Sequence, residues 1–131
     1  MIYLLDTNII SELTKPRPND GVIAWLNGRD DTALSAVTVE EIRFGVIARN
    51  LPALVRWAED FISAQTVLPV DGNIAHLSGH FRGEFRRRGI TRKQADMLIA
   101  ATAQHHNLTL VTRNTRDFEG CGIGLLNPFT D

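Results

Sequence analysis

The chain has 131 residues, of which 44% are hydrophobic and 22% charged, and its formal net charge at pH 7 is −1. Length and composition predict one globular domain over residues 1–131, and the balanced charge excludes a general attraction to nucleic acid. A single cysteine, Cys121, excludes an internal disulfide. No secretory signal or membrane-spanning run is visible, so we expect a cytoplasmic protein.

Segments typical of strands and of helices alternate along the chain. The strands are short aliphatic or β-branched runs, and the helices have apolar residues three and four positions apart. This alternation predicts an α/β fold with a central, mostly parallel sheet of four to five strands flanked by helices. In chain order we predict a strand at 2–5, helices at 9–14 and 21–28, a strand at 33–37, a helix from residue 38, a helix at 53–64, a strand at 66–70, helices at 73–88 and 91–106, and strands at 108–112 and 123–126.

Three helix starts carry capping patterns. Thr38 and Glu41 have the T-x-x-E spacing of a capping box, and Thr91 and Gln94 have the related T-x-x-Q spacing. Asp71 lies two residues before the start of the helix predicted at 73–88, which predicts that it is the N-cap of that helix.

Acidic residues stand close to the ends of the predicted strands. Asp6 follows the first strand, Glu41 lies one turn into the helix after the second, and Asp117 follows the fourth. Asp96 lies in the apolar helical segment QADMLIAATA, which leads into the fourth strand. In open α/β sheets, ligands bind beyond the carboxyl ends of the strands, so these acids are candidates for one site.

Each acid also has a purely structural explanation. Asp6 could bond to backbone amides of the following helix, Glu41 could only complete its capping box, and Asp117 could be an ordinary loop residue. Asp96 could pair with Arg92, one helical turn earlier.

If the acids do converge, their charges dictate what the site binds. Two carboxylates about 5 Å apart repel by about 3 kcal/mol at an effective dielectric constant near 20, which raises their pKa values or attracts cations. An all-oxygen ligand set favours Mg²⁺ or Mn²⁺. The sequence therefore predicts a metal-dependent enzyme that acts on phosphate esters.

Four segments, in order, carry a more specific signal: YLLDTNIISEL, SAVTVEEIRFGV, QADMLIAATAQHHNLTLVTRN and RDFEGCGIGLLNP. With them the chain resembles PIN-domain ribonucleases, and among these the toxin half of VapBC- or FitAB-type toxin–antitoxin pairs. The resemblance covers nearly the whole chain and implies a PIN-like fold. It also implies a cognate antitoxin, a homodimer, RNA as substrate, contact with DNA only through an antitoxin complex, and no membrane.

The resemblance also implies roles for particular residues. The family's acids match Asp6, Glu41, Asp96 and Asp117, which would hold Mg²⁺ or Mn²⁺; the pattern S-x-x-T-x-x-E-I, beginning at Ser35, selects Glu41 over its neighbour. Glu41 would either complete the ion's ligand shell or orient the attacking water. The products would carry a 3′-hydroxyl and a 5′-phosphate. Small polar residues would support the ligands or contact phosphate: Thr7, Asn8, Thr112 and Asn114.

A basic run spans the end of the helix predicted at 73–88 and the residues that follow it. It contains Arg86, Arg87, Arg88, Arg92 and Lys93, with Arg82 one turn earlier. A solvated helix end favoured by the helix dipole is one explanation, and a surface for RNA is the other. We favour RNA, because the run continues toward Asp96.

Two other functions fit parts of the sequence. A phosphatase of the haloacid dehalogenase type needs an acid where this chain has Asn8. A non-catalytic module that binds RNA or a protein partner is the other, and four carboxylates argue against it, because a pure binder of polyanions gains nothing from a negatively charged pocket. His76 and His80 lack the glutamate of an H-E-x-x-H motif, so no zinc site is predicted.

Overall fold

The computed structural model describes residues 1–131 and has one five-stranded sheet, six α-helices and a short 3-10 helix at Thr115–Phe118. The predicted α/β fold is confirmed. The strands are β1 at Tyr3–Leu5, β2 at Thr32–Ser35, β3 at Thr66–Leu68, β4 at Thr109–Val111 and β5 at Leu125–Leu126. The helices are α1 at Thr7–Leu13, α2 at Asp20–Leu26, α3 at Ala36–Arg49, α4 at Pro52–Ser63, α5 at Gly72–Arg87 and α6 at Gln94–His105.

All strand pairs in the sheet are parallel, and the strand order is β3-β2-β1-β4-β5. The chain therefore builds outward from β1 in one direction through β2 and β3, and then crosses to the other side of β1 for β4. The gap beyond the carboxyl ends of β1 and β4 is the switch point of the sheet, where α/β proteins place their ligand sites.

Two apolar layers form the core, one on each face of the sheet. Leu4 and Leu110 pack under α5 and α6. The next residues along the same strands, Leu5 and Val111, pack against α1 to α4 on the opposite face. Consecutive strand residues point to opposite faces, so these short, fully apolar strands serve both layers. No helix is both long enough and apolar enough to cross a membrane.

The helix starts differ from the sequence prediction at two places. Ser35 caps α3, accepting a hydrogen bond from the Val37 N–H at 3.1 Å, so Thr38 lies inside the helix and its predicted capping box is wrong. Helix α6 begins at Gln94, after Lys93, and has no side-chain cap, so the box predicted from Thr91 is also wrong.

The N-cap predicted for α5 is confirmed. The Asp71 carboxylate accepts a hydrogen bond from the Ile74 N–H at 3.0 Å. This contact accounts for Asp71 structurally and separates it from the other acids that follow strands.

Candidate active site

A polar cleft lies at the carboxyl edge of the sheet, at the switch point between β1 and β4. Its volume is about 270 Å³, and none of its nine lining residues is hydrophobic. All four acids singled out in the sequence line it, although they come from separate parts of the chain. The lining residues are Asp6, Thr7, Asn8, Ser11, Glu41, Lys93, Asp96, Asn114 and Asp117.

Asp6 occupies the first position after β1, where the strand ends and α1 begins. Its Oδ1 accepts a hydrogen bond from the Thr7 N–H at 2.8 Å, as a helix cap does. Its Oδ2 accepts from the Thr112 hydroxyl at 2.8 Å and from the Asn8 amide at 3.2 Å. The side chain is only 6% exposed, so both oxygens are held in fixed directions.

Glu41 is fixed from α1 rather than by its own helix. The Thr7 hydroxyl donates to Glu41 Oε1 at 2.6 Å and lies 3.3 Å from the Thr38 hydroxyl. Since α3 begins at Ala36, Glu41 is one and a half turns inside the helix and caps nothing. Its Oε2 accepts no hydrogen bond from the chain, which leaves that oxygen for a ligand or water.

Asp96 lies half-buried in the first turn of α6. Loss of hydration raises its pKa to about 6, and the charges of Asp6, Asp117 and Glu41 act in the same direction, against the opposing charge of Lys93. Asp96 makes no ion pair with Arg92, which points elsewhere.

Asp117 belongs to the 3-10 helix that follows β4, and Arg92 holds this segment in place. The Arg92 guanidinium donates to the carbonyl oxygens of Asp117 and Glu119, the latter at 2.9 Å. The same guanidinium stacks over the Phe85 ring, 4.2 Å from its centroid. A contact between α5, the start of α6 and the 3-10 helix thus fixes the backbone that carries Asp117.

The carboxylates of the acidic cleft are partly removed from water and repel one another. Burial raises the pKa of Asp6, hydrogen bonds from Thr112 and Thr7 oppose that rise, and the charges of Glu41 and Asp117 add to it. A cation relieves this repulsion, and the all-oxygen donor set suits a hard divalent ion. No three acidic, histidine or cysteine side chains are grouped closely enough to bind an ion directly. Water bridges or a small inward movement of the carboxylates would therefore be needed.

The small polar residues form one network between β1 and β4. Asn8 donates to the Thr112 hydroxyl at 3.2 Å and accepts from the Arg113 N–H at 3.2 Å. The Asn114 N–H donates to the same hydroxyl at 3.1 Å. Thr112 is completely buried. The network joins the residues after both strands and positions Asp6.

Sequence reasoning missed two polar residues of this region. Ser11 lines the cleft one helical turn after Thr7, and buried Thr38 lies one turn before Glu41. The three- and four-residue spacing to a predicted site residue was the signal that could have identified both.

The basic residues of the run at 86–93 lie in different places in the structure. Lys93 lines the acidic cleft, whereas Arg86 and Arg92 line a separate cleft beside it. Arg87 pairs with Glu84 at 3.0 Å. Arg88 lies over the Phe85 ring, 4.9 Å from its centroid.

Comparison with known proteins identifies the family to which the chain belongs. The family model of the PIN domain matches residues 3–121. The chain belongs to the PIN-domain family. The resemblance inferred from the four sequence segments is thereby confirmed.

Two relatives match this PIN domain over nearly their whole length. The toxin FitB of Neisseria gonorrhoeae is 38% identical, over 99% of this chain and all (100%) of FitB. The VapC ribonuclease Y4jK of Sinorhizobium fredii is 34% identical, over 98% of each chain.

Solved structures with the same fold are complexes of such proteins. FitAcB from Neisseria gonorrhoeae has a TM-score of 0.87 and 34% identity, covering 97% of this chain and 98% of that one. FitAB bound to an IR36 DNA fragment has a TM-score of 0.86 and 34% identity, covering 99% and 97%. A toxin–antitoxin complex from Klebsiella pneumoniae has a TM-score of 0.80 and 29% identity, covering 98% and 99%.

Proposed function

We propose that this PIN domain is a divalent-metal-dependent endoribonuclease and the toxin of a toxin–antitoxin pair. One observation carries the proposal: four carboxylates from separate parts of the chain line a single polar cleft at the switch point of the sheet. Their mutual repulsion contributes to the raised pKa of Asp6 and Asp96. The relative named a ribonuclease, 34% identical over 98% of this chain, supports RNA as the substrate.

Asp6, Asp96 and Asp117 would hold Mg²⁺ or Mn²⁺, and Glu41 would either complete the ligand shell of the ion or orient the attacking water. Mg²⁺ usually keeps several waters and binds through one or two carboxylates, which suits acids that share a cleft without being in direct ligand contact. When bound, such an ion lowers the pKa of a coordinated water and stabilises the charge that develops on a phosphate.

The protein's own residues would orient the reactants. Thr112 and Asn8 fix the direction of Asp6 Oδ2, and Thr7 fixes Glu41 so that its Oε2 can accept a proton from the attacking water. Lys93 would contact the phosphate from the rim of the cleft. The water would give one proton to Glu41, its oxygen would bond to phosphorus as the bond to the 3′ oxygen breaks, and the 3′ oxygen would take up a proton from solvent, which leaves a 5′-phosphate and a 3′-hydroxyl.

The partners follow from the same relationship. We propose a cognate antitoxin, a homodimer, and contact with DNA only through the antitoxin complex; the solved structure of FitAB bound to a DNA fragment supports an association of such a pair with DNA. Helix α3 exposes Phe44, which is 72% accessible, and Ile47 nearby. Exposed apolar surface of this kind is commonly covered by a protein partner. Arg86, Arg92 and Lys93, which line the two clefts, are proposed to contact RNA directly, and Arg87 and Arg88 are proposed to add only a general electrostatic attraction to it.

The proposal is tested by incubating the purified protein with total cellular RNA in Mg²⁺, in Mn²⁺ and in EDTA. Asp96→Asn is the matched variant, because it removes the charge and keeps the shape. We expect discrete cuts with 5′-phosphate ends that require the metal, and a loss of at least about 100-fold in the variant. Cleavage in EDTA, undiminished cleavage by Asp96→Asn, or RNA binding without cleavage in any divalent metal would contradict the proposal.

A further inference from the structure

A second cleft, the arginine cleft, lies beside the acidic one and has a volume of about 330 Å³. It is formed where the second half of α5 meets the loop before α6. Its polar and glycine lining consists of Gly79, Arg82, Gly83 and Arg86 of α5 with Thr91 and Arg92 of the loop.

Two glycines of α5, called here the glycine floor, contribute backbone without side chains to the lining of the arginine cleft. Gly79 and Gly83 are four residues apart, on one face of α5, and a Cβ atom added at either would meet nothing within 4 Å. Glycine inside a helix is destabilising relative to alanine, and no contact here requires it. Two interior glycines on one face therefore keep space open at some cost to the helix.

Arg82, Arg86 and Arg92 all bring positive charge to the arginine cleft, and Arg82 and Arg86 are also four residues apart. Neither makes an ion pair within the chain, whereas the neighbouring Arg87 is paired with Glu84. Arg92 is engaged with two backbone carbonyl groups. The helix dipole explains cations near the end of α5, but it does not explain the glycines between them.

The arginine cleft adjoins the acidic cleft through consecutive residues. Arg92 lines the first and Lys93 lines the second, and their Cα atoms are about 3.8 Å apart. Arg92 also holds the backbone of Asp117. If a polyanionic strand placed one phosphate in the acidic cleft, a neighbouring phosphate of the same strand would thus lie at the arginine cleft.

We propose that the arginine cleft binds a backbone phosphate of RNA that flanks the phosphate being cleaved, an inference that rests on the nuclease function proposed above. The guanidinium fork matches phosphate geometry, and the glycine floor allows the ribose–phosphate chain to approach the helix closely. Such a contact sets the position and direction of the strand and reads no base.

The test compares two double variants that remove the same charge from the same end of α5. These are Arg82→Gln with Arg86→Gln, and Arg87→Gln with Arg88→Gln. Binding of a short labelled single-stranded RNA of mixed sequence is measured on the Asp96→Asn background, so that cleavage does not interfere. We expect the first pair to raise Kd about 10-fold and to reduce the slope of log Kd against log salt by about 0.7, the value for one phosphate contact. The second pair should raise Kd less than about 3-fold.

A third variant tests the cleft without changing charge. Gly79→Ala with Gly83→Ala should raise Tm, because alanine favours the helix, and should weaken RNA binding, because the methyl groups fill the floor. Equal effects of the two arginine pairs, unchanged binding by the alanine variant, or no binding by the parent at low salt would overturn the inference. Failure of the nuclease proposal is recognised separately, by absence of cleavage in the wild-type protein.

Discussion

At the scale of single residues, the ionised carboxylate of Asp96 destabilises the metal-free protein, although the proposed metal site needs that charge. Its pKa is raised to about 6 in the folded chain, from an ordinary value of 3.8. Between these two pH values the folded state holds a proton that the unfolded state has lost, so the free energy of unfolding falls as pH rises. Above about pH 6 the ionised carboxylate destabilises the metal-free protein in full.

Asp96→Asn should therefore stabilise the metal-free protein in a pH-dependent way. We expect a gain in the free energy of unfolding of about 1 to 2 kcal/mol at pH 8, allowing for solvent screening of a half-exposed group, and almost none at pH 4. Thermal unfolding of both proteins in EDTA at the two pH values measures it. An equal difference at both would show that Asp96 is not under electrostatic strain.

Thr112 is the second residue on which the site depends. Its buried hydroxyl donates to Asp6 and accepts from Asn8 and from the Asn114 N–H. One side chain thereby fixes the direction of a carboxylate and the start of the loop after β4.

Thr112→Val keeps the shape of the side chain and removes these three contacts. We expect a loss of about 1 to 3 kcal/mol in the free energy of unfolding and of about 10- to 100-fold in kcat/KM, because Asp6 loses its hydroxyl donor. Thr102→Val is the control: Thr102 is equally buried, but its hydroxyl bonds only to the Leu98 carbonyl of its own helix. If Thr102→Val reduced kcat/KM as much, the specific role of Thr112 would be wrong.

At the scale of elements, the start of α3 decides where Glu41 lies. The helix begins directly at the end of β2, capped by Ser35, and Thr38 and Glu41 then share the helix face that meets Thr7 of α1. A start at Thr38 would have left Glu41 in the first turn, engaged with its own backbone.

Similar substitutions at the starts of α3 and α6 should change the free energy of unfolding by different amounts. Ser35→Ala should lower the free energy of unfolding by about 1 kcal/mol, because the Val37 N–H loses its partner in a buried place. Thr91→Ala should change it by less than about 0.5 kcal/mol, because Thr91 caps nothing. Urea unfolding of both variants measures the difference, and the reverse order would contradict the observed helix boundaries.

Sequence reasoning identified the elements well where the pattern was local. The apolar strand at 2–5 and the cap at Asp71 each depend on neighbours in the chain, and the structure has both within a residue or two of the predicted positions. The capping box predicted at Thr38 failed because Ser35 and Thr38 are chemically equivalent candidates three residues apart. Only the packing of α3 against α1 separates them.

At the scale of the whole molecule, the alternation of strands and helices was sufficient to predict a parallel sheet. It was not sufficient to place β1 between β2 and β4, an order that follows from packing both faces of the sheet. The four acids could be singled out because they stand near strand ends or in an apolar segment. The contact of Arg92 with the backbone of Asp117, 25 residues away, has no local sequence signal.

Binding of Mn²⁺, measured by calorimetry, tests most directly whether the carboxylates of the acidic cleft form a cation site. We expect binding by the wild-type protein at pH 7.5, weaker binding at pH 5.5 as Asp96 takes up a proton, and at least about 10-fold weaker binding by Asp96→Asn. Asp71→Asn removes the same charge outside the cleft, keeps a good N-cap and should bind like the wild type. No binding by the wild-type protein, or equal binding by Asp96→Asn, would contradict the account.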